Sequence, residues 1–156
     1  MLDDSHPGSR ALRRGRASDI GRMYLLTWAT QGRMPVLSAY WAARQVAMAL
    51  KGADDEGLSE TWAFVVMPDH VHWLVVLRGC SLDALVRRVK SVSARGIHQK
   101  MGGAGALWQS GFHDHALRTE EDVRNVARYV IANPQRAGLV EHVSDYPWWD
   151  ARWLEG

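Results

Sequence analysis

The residues best suited to chemistry are two histidines separated by one valine, His70 and His72, and a tyrosine, Tyr129, followed four positions later by Asn133. In an extended strand, residues two apart project to the same face, so His70 and His72 present two imidazoles side by side while Val71 points into a core. That pairing suits one metal ion. Neutral imidazole serves zinc, manganese, iron, nickel and copper, and a pair completed by oxygen ligands accepts Mg2+ or Mn2+ where phosphate is handled. The plain alternative is that one histidine caps a strand and the other packs. On a helix, Asn125, Tyr129 and Asn133 share a face. A phenol with its ordinary pKa near about 10 is a poor nucleophile until a neighbouring cation polarises the phosphate it attacks. From spacing alone, a half-buried helical tyrosine with a satisfied hydroxyl is the simpler account.

A second same-face pair, His113 and His115, lies in FHDHALR. The first pair is preferred as ligands because it opens a strand apolar enough to be central, where a rigid site can be built, whereas His113 and His115 fall on an expected edge strand.

The elements around these residues are legible from periodicity. Arg22 to Thr30 reads as a strand, and Gly32 with Pro35 ends it. A helix follows from Ser38, an expected N-cap, to about Lys51, with Gly52 as its stop. Thr61 to Met67 and Val71 to Leu77 are apolar strands joined at Pro68-Asp69, an antiparallel hairpin at the centre of the sheet. Ser81 to about His98 places Leu82, Leu85, Val86 and Val89 at helical spacing with basic residues on the remaining arc. Phe112 to Arg118 alternates as an edge strand. Thr119, followed by three acids, caps a last helix that carries Tyr129 and stops near Asn133-Pro134. This order predicts an α+β, ferredoxin-like sandwich: a four-stranded antiparallel sheet, two packed helices, and an appended C-terminal helix carrying the tyrosine.

A chain of 156 residues, 47% hydrophobic and 23% charged, fits one compact domain, and no apolar run approaches the roughly 20 residues of a membrane span. The lone Cys80 fits a reducing cytoplasm and excludes a cysteine-rich zinc cage. Net charge is only +2, so any nucleic-acid reading rests on where the charges lie. Arg87, Arg88, Lys90, Arg95 and Lys100 cluster against one acid, Asp83. Residues 1–18 read as a basic arm in which Arg13, Arg14 and Arg16 reach for a groove or for unpaired bases, a solvated tail being the alternative. Of eight tryptophans, most are expected in the core. Trp148 and Trp149, in the polar tail, are the candidates for base stacking, worth about 1–3 kcal/mol per base.

Taken together, YLLTWATQGRMPVL at 24–37, VVMPDHVHWLVVL at 65–77, WQSGFHDHALRTEEDVRNVARYVIANPQRAGLV at 108–140 and DYPWW at 145–149 closely resemble the REP-associated tyrosine transposases, of the single-tyrosine HUH endonuclease superfamily. A lone H-x-H is weak, but M-P-D-H-V-H followed about 60 residues later by Y-x-x-x-N-P and A-G-L is specific. The resemblance implies that Tyr129 attacks a phosphate of single-stranded DNA, forms a 5′-phosphotyrosyl intermediate and frees a 3′-hydroxyl that can later rejoin strands. It implies His70 and His72 as ligands of Mg2+ or Mn2+, with Asn133 as the third, in the place where insertion-sequence relatives often carry Gln. It implies substrates that are the imperfect hairpins of REP elements, a nuclease domain over 19–142 followed by a tail at 143–156, and a cytoplasmic, nucleoid-associated protein acting as a monomer or homodimer. Pro134 disfavours helical geometry at Asn133. Two other functions compete: a catalytically silent single-stranded nucleic-acid-binding module, and a small metallohydrolase of free phosphoesters.

Overall fold

The structure is a computed structural model, and it describes residues 18–103 and 105–151, Glu121 by its backbone alone. The arginines at 13, 14 and 16 lie outside the described residues.

Five strands, β1 (Met23–Ala29), β2 (Ser59–Val66), β3 (His70–Leu77), β4 (His113–Ala116) and β5 (Trp149–Ala151), form one antiparallel sheet in the order β4-β1-β3-β2-β5. The helices are α1 (Tyr40–Asp55), α2 (Leu82–Met101), α3 (Glu120–Ile131) and the single turn α4 (Asn133–Arg136). The first four strands keep the order expected of the ferredoxin-like sandwich. The expectation of four strands is corrected by β5, which pairs Trp149 with Val65 and Ala151 with Ala63 at the outer edge of β2.

Strand alternation divides the interior into two layers. Val71, Trp73 and Val75 of β3, with Tyr24, Leu26 and Trp28 of β1, face α1 and α2 and make the larger core with Val46, Leu50, Leu85, Val89 and Ile97. Leu74 of β3, with Ala63 and Val65 of β2, faces the other way onto Ala127 and Val130 of α3. The larger layer holds three packed tryptophans: Trp28 meets Trp73 at 6.2 Å and Trp108 at 6.1 Å between ring centroids, both edge to face. Trp73 and Trp108 donate their indole N–H to Thr61 (2.9 Å) and Ser93 (3.2 Å), so these rings are core rather than base platforms.

Local signals set most helix ends. The Ser81 hydroxyl accepts from the Ala84 N–H and that of Thr119 from the Asp122 N–H, each at 3.1 Å, and α2 closes on Gly102 at φ 68°. Helix α1 departs from expectation at both ends. Ser38 does not cap it: its hydroxyl donates to the Pro35 carbonyl at 2.6 Å and Ala39 stands at the N-cap without a side-chain bond. Gly52 does not stop it either. The helix continues to Asp55, because buried Ala53 still packs on the core and Asp54 accepts from the Ser59 hydroxyl (2.5 Å) and the Thr61 N–H (2.9 Å), tying the last turn to β2. Among the described residues, no helix is long and apolar enough to cross a membrane.

Candidate active site

Strand β3 begins at His70, one residue earlier than its apolar run indicates, which places both histidines in regular alternation on the face turned toward α3. Their rings lie 4.9 Å apart between centroids, at 90°. Each has a fixed partner at Nδ1. His70 Nδ1 is 2.7 Å from Asp69 Oδ1, whose other oxygen accepts from Arg33 Nε at 3.0 Å. His72 Nδ1 is 3.0 Å from the Thr27 hydroxyl, the residue directly opposite on β1. With the ring protons on Nδ1, both Nε2 lone pairs remain for a cation, which is how ligating imidazoles are ordinarily oriented. Burial, reinforced by the charges of His70, Arg136 and Arg33, pushes the His72 pKa down to about 3, so this imidazole stays neutral, the form that binds metal. Burial works to raise the Asp69 carboxyl, but its bonds to His70 and Arg33 outweigh it and hold the group below the usual range. The donor set therefore fits a divalent cation in its chemistry. Among the described residues no set of three His, Cys, Asp or Glu side chains gathers, so a cation held by the two imidazoles would be completed by amide, water or substrate oxygens.

Helix α3 packs Ala127 and Val130 on the sheet and brings Tyr129 over the histidines. The Tyr129 ring centroid is 6.0 Å from that of His72, at 78°, within one chain, and 47% of the residue is exposed. The chain stays helical through Pro134, which occupies the first turn of α4, where its missing N–H costs nothing. Asn133 opens that turn with its side chain folded back: Nδ2 donates to the carbonyls of Tyr129 (3.1 Å) and Val130 (3.2 Å), while Oδ1 accepts from Arg136 Nη2 at 3.0 Å. The Arg136 guanidinium carbon lies 4.1 Å from the Tyr129 ring centroid.

Thr27, Arg33, Asp69 and Arg136 thus surround the centre, and sequence reasoning singled out none of them. Asp69 adjoins His70, and Arg136 follows Tyr129 by seven residues, two helical turns, so spacing offered a signal for both.

The basic residues of α2 lie elsewhere. Helix α2 covers the opposite face of the sheet from the histidines. Arg88 pairs in a fork with Glu56 (3.1 and 3.0 Å), and Lys90 Nζ donates to the carbonyls of Gln109 (2.8 Å) and Gly111 (2.6 Å). Arg87 and Arg95 are exposed. Trp148 is half-buried with its ring 4.8 Å from that of Tyr40, and the Trp149 N–H donates to the Val143 carbonyl at 2.9 Å, so both serve packing as built. His113 stands opposite Thr27, which stands opposite His72, so the three share one row on the same face; His115 stands opposite Leu25 on that face, and is exposed.

Comparison with known proteins places this geometry. The chain is 33% identical over 85 residues to a REP-associated tyrosine transposase of Escherichia coli (strain K12), covering 54% of this chain and 50% of that protein. A Haemophilus influenzae (strain ATCC 51907 / DSM 11121 / KW20 / Rd) protein assigned to the same group is 31% identical over 101 residues, covering 57% of each. The matches thus span about half the length of these two relatives. A solved structure described as a REP-associated tyrosine transposase bound to a REP hairpin superposes with a TM-score of 0.70 at 26% identity, covering 86% of this chain and 79% of that one. The family model described as Transposase IS200 like matches residues 21–133, a stretch that takes in His70, His72, Tyr129 and Asn133, and the chain belongs to that family.

Proposed function

We propose that the chain is a metal-dependent endonuclease and strand transferase of single-stranded DNA, acting on REP hairpins, the kind of ligand held by the solved relative. The observation that carries this reading is the approach of Tyr129 to His72, 6.0 Å between centroids, beside His70 on the same strand face. His70 and His72, joined by Asn133 or by substrate oxygens, are the residues that would hold Mg2+ or Mn2+. Such a cation, when bound, supplies charge that polarises the phosphodiester. The Tyr129 hydroxyl attacks phosphorus: the bond from Oη to phosphorus forms, the bond from phosphorus to the 3′ oxygen breaks, and the phenolic proton passes to that leaving oxygen. A free 3′-hydroxyl and a 5′-phosphotyrosyl ester result, and attack by a 3′-hydroxyl on that ester reverses the step and joins strands without water. The exposure of Tyr129 leaves it open to an unpaired strand.

A REP hairpin with an unpaired flank, labelled at its 5′-phosphoryl side, tests this directly. Denaturing gels should show a label shifted to protein mass with Mg2+ or Mn2+ and none with EDTA. Retention without nicking would favour the silent binding module, and turnover without an adduct the metallohydrolase; either outcome replaces the proposal.

A further inference from the structure

Arg136 touches two functional side chains at once. Its guanidinium carbon lies 4.1 Å from the Tyr129 ring centroid, and its Nη2 donates to Asn133 Oδ1 at 3.0 Å. His72 also meets the Tyr129 ring, with centroids 6.0 Å apart and planes at 78°. The aromatic ring thus has both an imidazole and a planar cation against it, and the same cation takes one lone pair of the Asn133 amide oxygen and sets a positive charge beside it, where a metal would compete. Asn133 has no second oxygen to offer, since its remaining polar atom, Nδ2, donates to the Tyr129 and Val130 carbonyls.

We propose that Arg136 is a positioning residue of the cleavage centre, holding the Tyr129 ring beside His72 while keeping the Asn133 oxygen engaged until the guanidinium lets go. This rests on the function proposed above. The planar fork matters: arginine can stack on a ring and donate in its own plane, which the point charge of lysine cannot reproduce. Nor is the fold built on Arg136, which is exposed, so its replacement leaves the protein folded. A guanidinium so placed gives an arriving phosphate something to draw away from Asn133, because a charge-assisted bond to phosphate outcompetes one to a neutral amide.

Two measurements decide it. The first is Mn2+ titration of the full chain without DNA, in wild type, Arg136→Gln, Asn133→Ala and the double variant. Arg136→Gln should tighten Mn2+ binding by roughly threefold to tenfold, the scale of one lost competing hydrogen bond, and clearly less in the Asn133→Ala background, where only the nearby charge that also acts on His72 is removed. Equal tightening in both backgrounds would show a mere removal of positive charge, and no tightening would show no competition for the oxygen; either result overturns the withholding of Asn133. The second is the single-turnover rate of adduct formation at saturating hairpin and Mn2+ in Arg136→Lys. It should fall on the order of tenfold to a hundredfold, the cost of a misplaced nucleophile, with hairpin affinity within about twofold of wild type. A wild-type rate in that variant overturns the positioning of Tyr129. Absence of any adduct in the wild-type protein would instead overturn the proposed function, and the titration would still read the Arg136 to Asn133 coupling.

Discussion

The His72 imidazole and the Tyr129 phenol meet edge to face with centroids 6.0 Å apart, one side chain fixed by the central strand of the sheet and the other by the helix laid across it. Neither depends on a loop for its place. His72 is locked by Thr27 on the neighbouring strand, and Tyr129 by the Ala127 and Val130 contacts of α3. The proposed nucleophile and the proposed ligand thus both stand on rigid elements, which suits chemistry that tolerates little displacement.

Tyr129→Phe removes only the hydroxyl of this exposed residue and keeps the ring against His72 and Arg136. Covalent adduct formation should vanish, hairpin affinity should stay within about twofold, and stability should change by less than about 0.5 kcal/mol, as for other exposed sites. Gel-shift and adduct assays on the same preparation read both, and an adduct persisting in the variant removes Tyr129 from the chemistry.

Asp69→Ala removes the partner of His70 Nδ1 and Thr27→Val that of His72 Nδ1, while sparing the rings. Loss of such orienting partners typically weakens metal binding about tenfold to a hundredfold. Mn2+ titration should show that loss with each variant, and unchanged affinity would mean that the Nδ1 bonds do not orient the pair.

Tyr146 donates its hydroxyl to the Val66 carbonyl at 2.6 Å, and burial pushes its pKa up to about 12. A phenol neutral in the folded protein but titrating near 10 when unfolded contributes stability that is fully present below pH 10 and lost as pH rises through 10 to about 12. Denaturant unfolding should show wild type more stable than Tyr146→Phe by about 1–2 kcal/mol at pH 8, the cost of an orphaned carbonyl. The gap should close toward pH 12. A gap constant across that window would remove the linkage.

Arg88 is committed to Glu56 across α1 and α2, on the sheet face away from the histidines. Arg88→Met should cost up to about 1 kcal/mol of stability, as a good surface pair does. The salt dependence of hairpin binding should keep its slope, since no phosphate contact is lost. A slope reduced by about one unit would return Arg88 to the DNA interface.

The strands β1 to β4 and helices α2 and α3 were readable because their apolar periods were long and their ends carried Ser81, Gly102 and Thr119, whose effects are local. The extent of α1 was not, because Gly52 and Ser38 gave the usual local signals and tertiary contacts of Ala53 and Asp54 overrode them. Strand β5 is three residues long, too short to show alternation, and exists only through its pairing with β2. The histidine pair and the tyrosine were visible as types at fixed spacings. Their support was not: Thr27 reaches His72 through strand register, Arg33 reaches Asp69, the partner of His70, from a loop, and Arg136 donates to Asn133 through rotamers that a linear pattern does not encode. Charge clustering on α2 likewise says nothing about which side of a sheet a helix will cover.

Alternation along β3 binds the fate of the centre to that of the core. Moving this strand by a single position against Thr27 and Val65 would turn both imidazoles into the tryptophan layer and expel Trp73 and Val71 to the α3 side. Such a frame error would abolish the fold and the histidine face in one stroke, so a partly assembled sheet with a misaligned but competent centre has no route to exist.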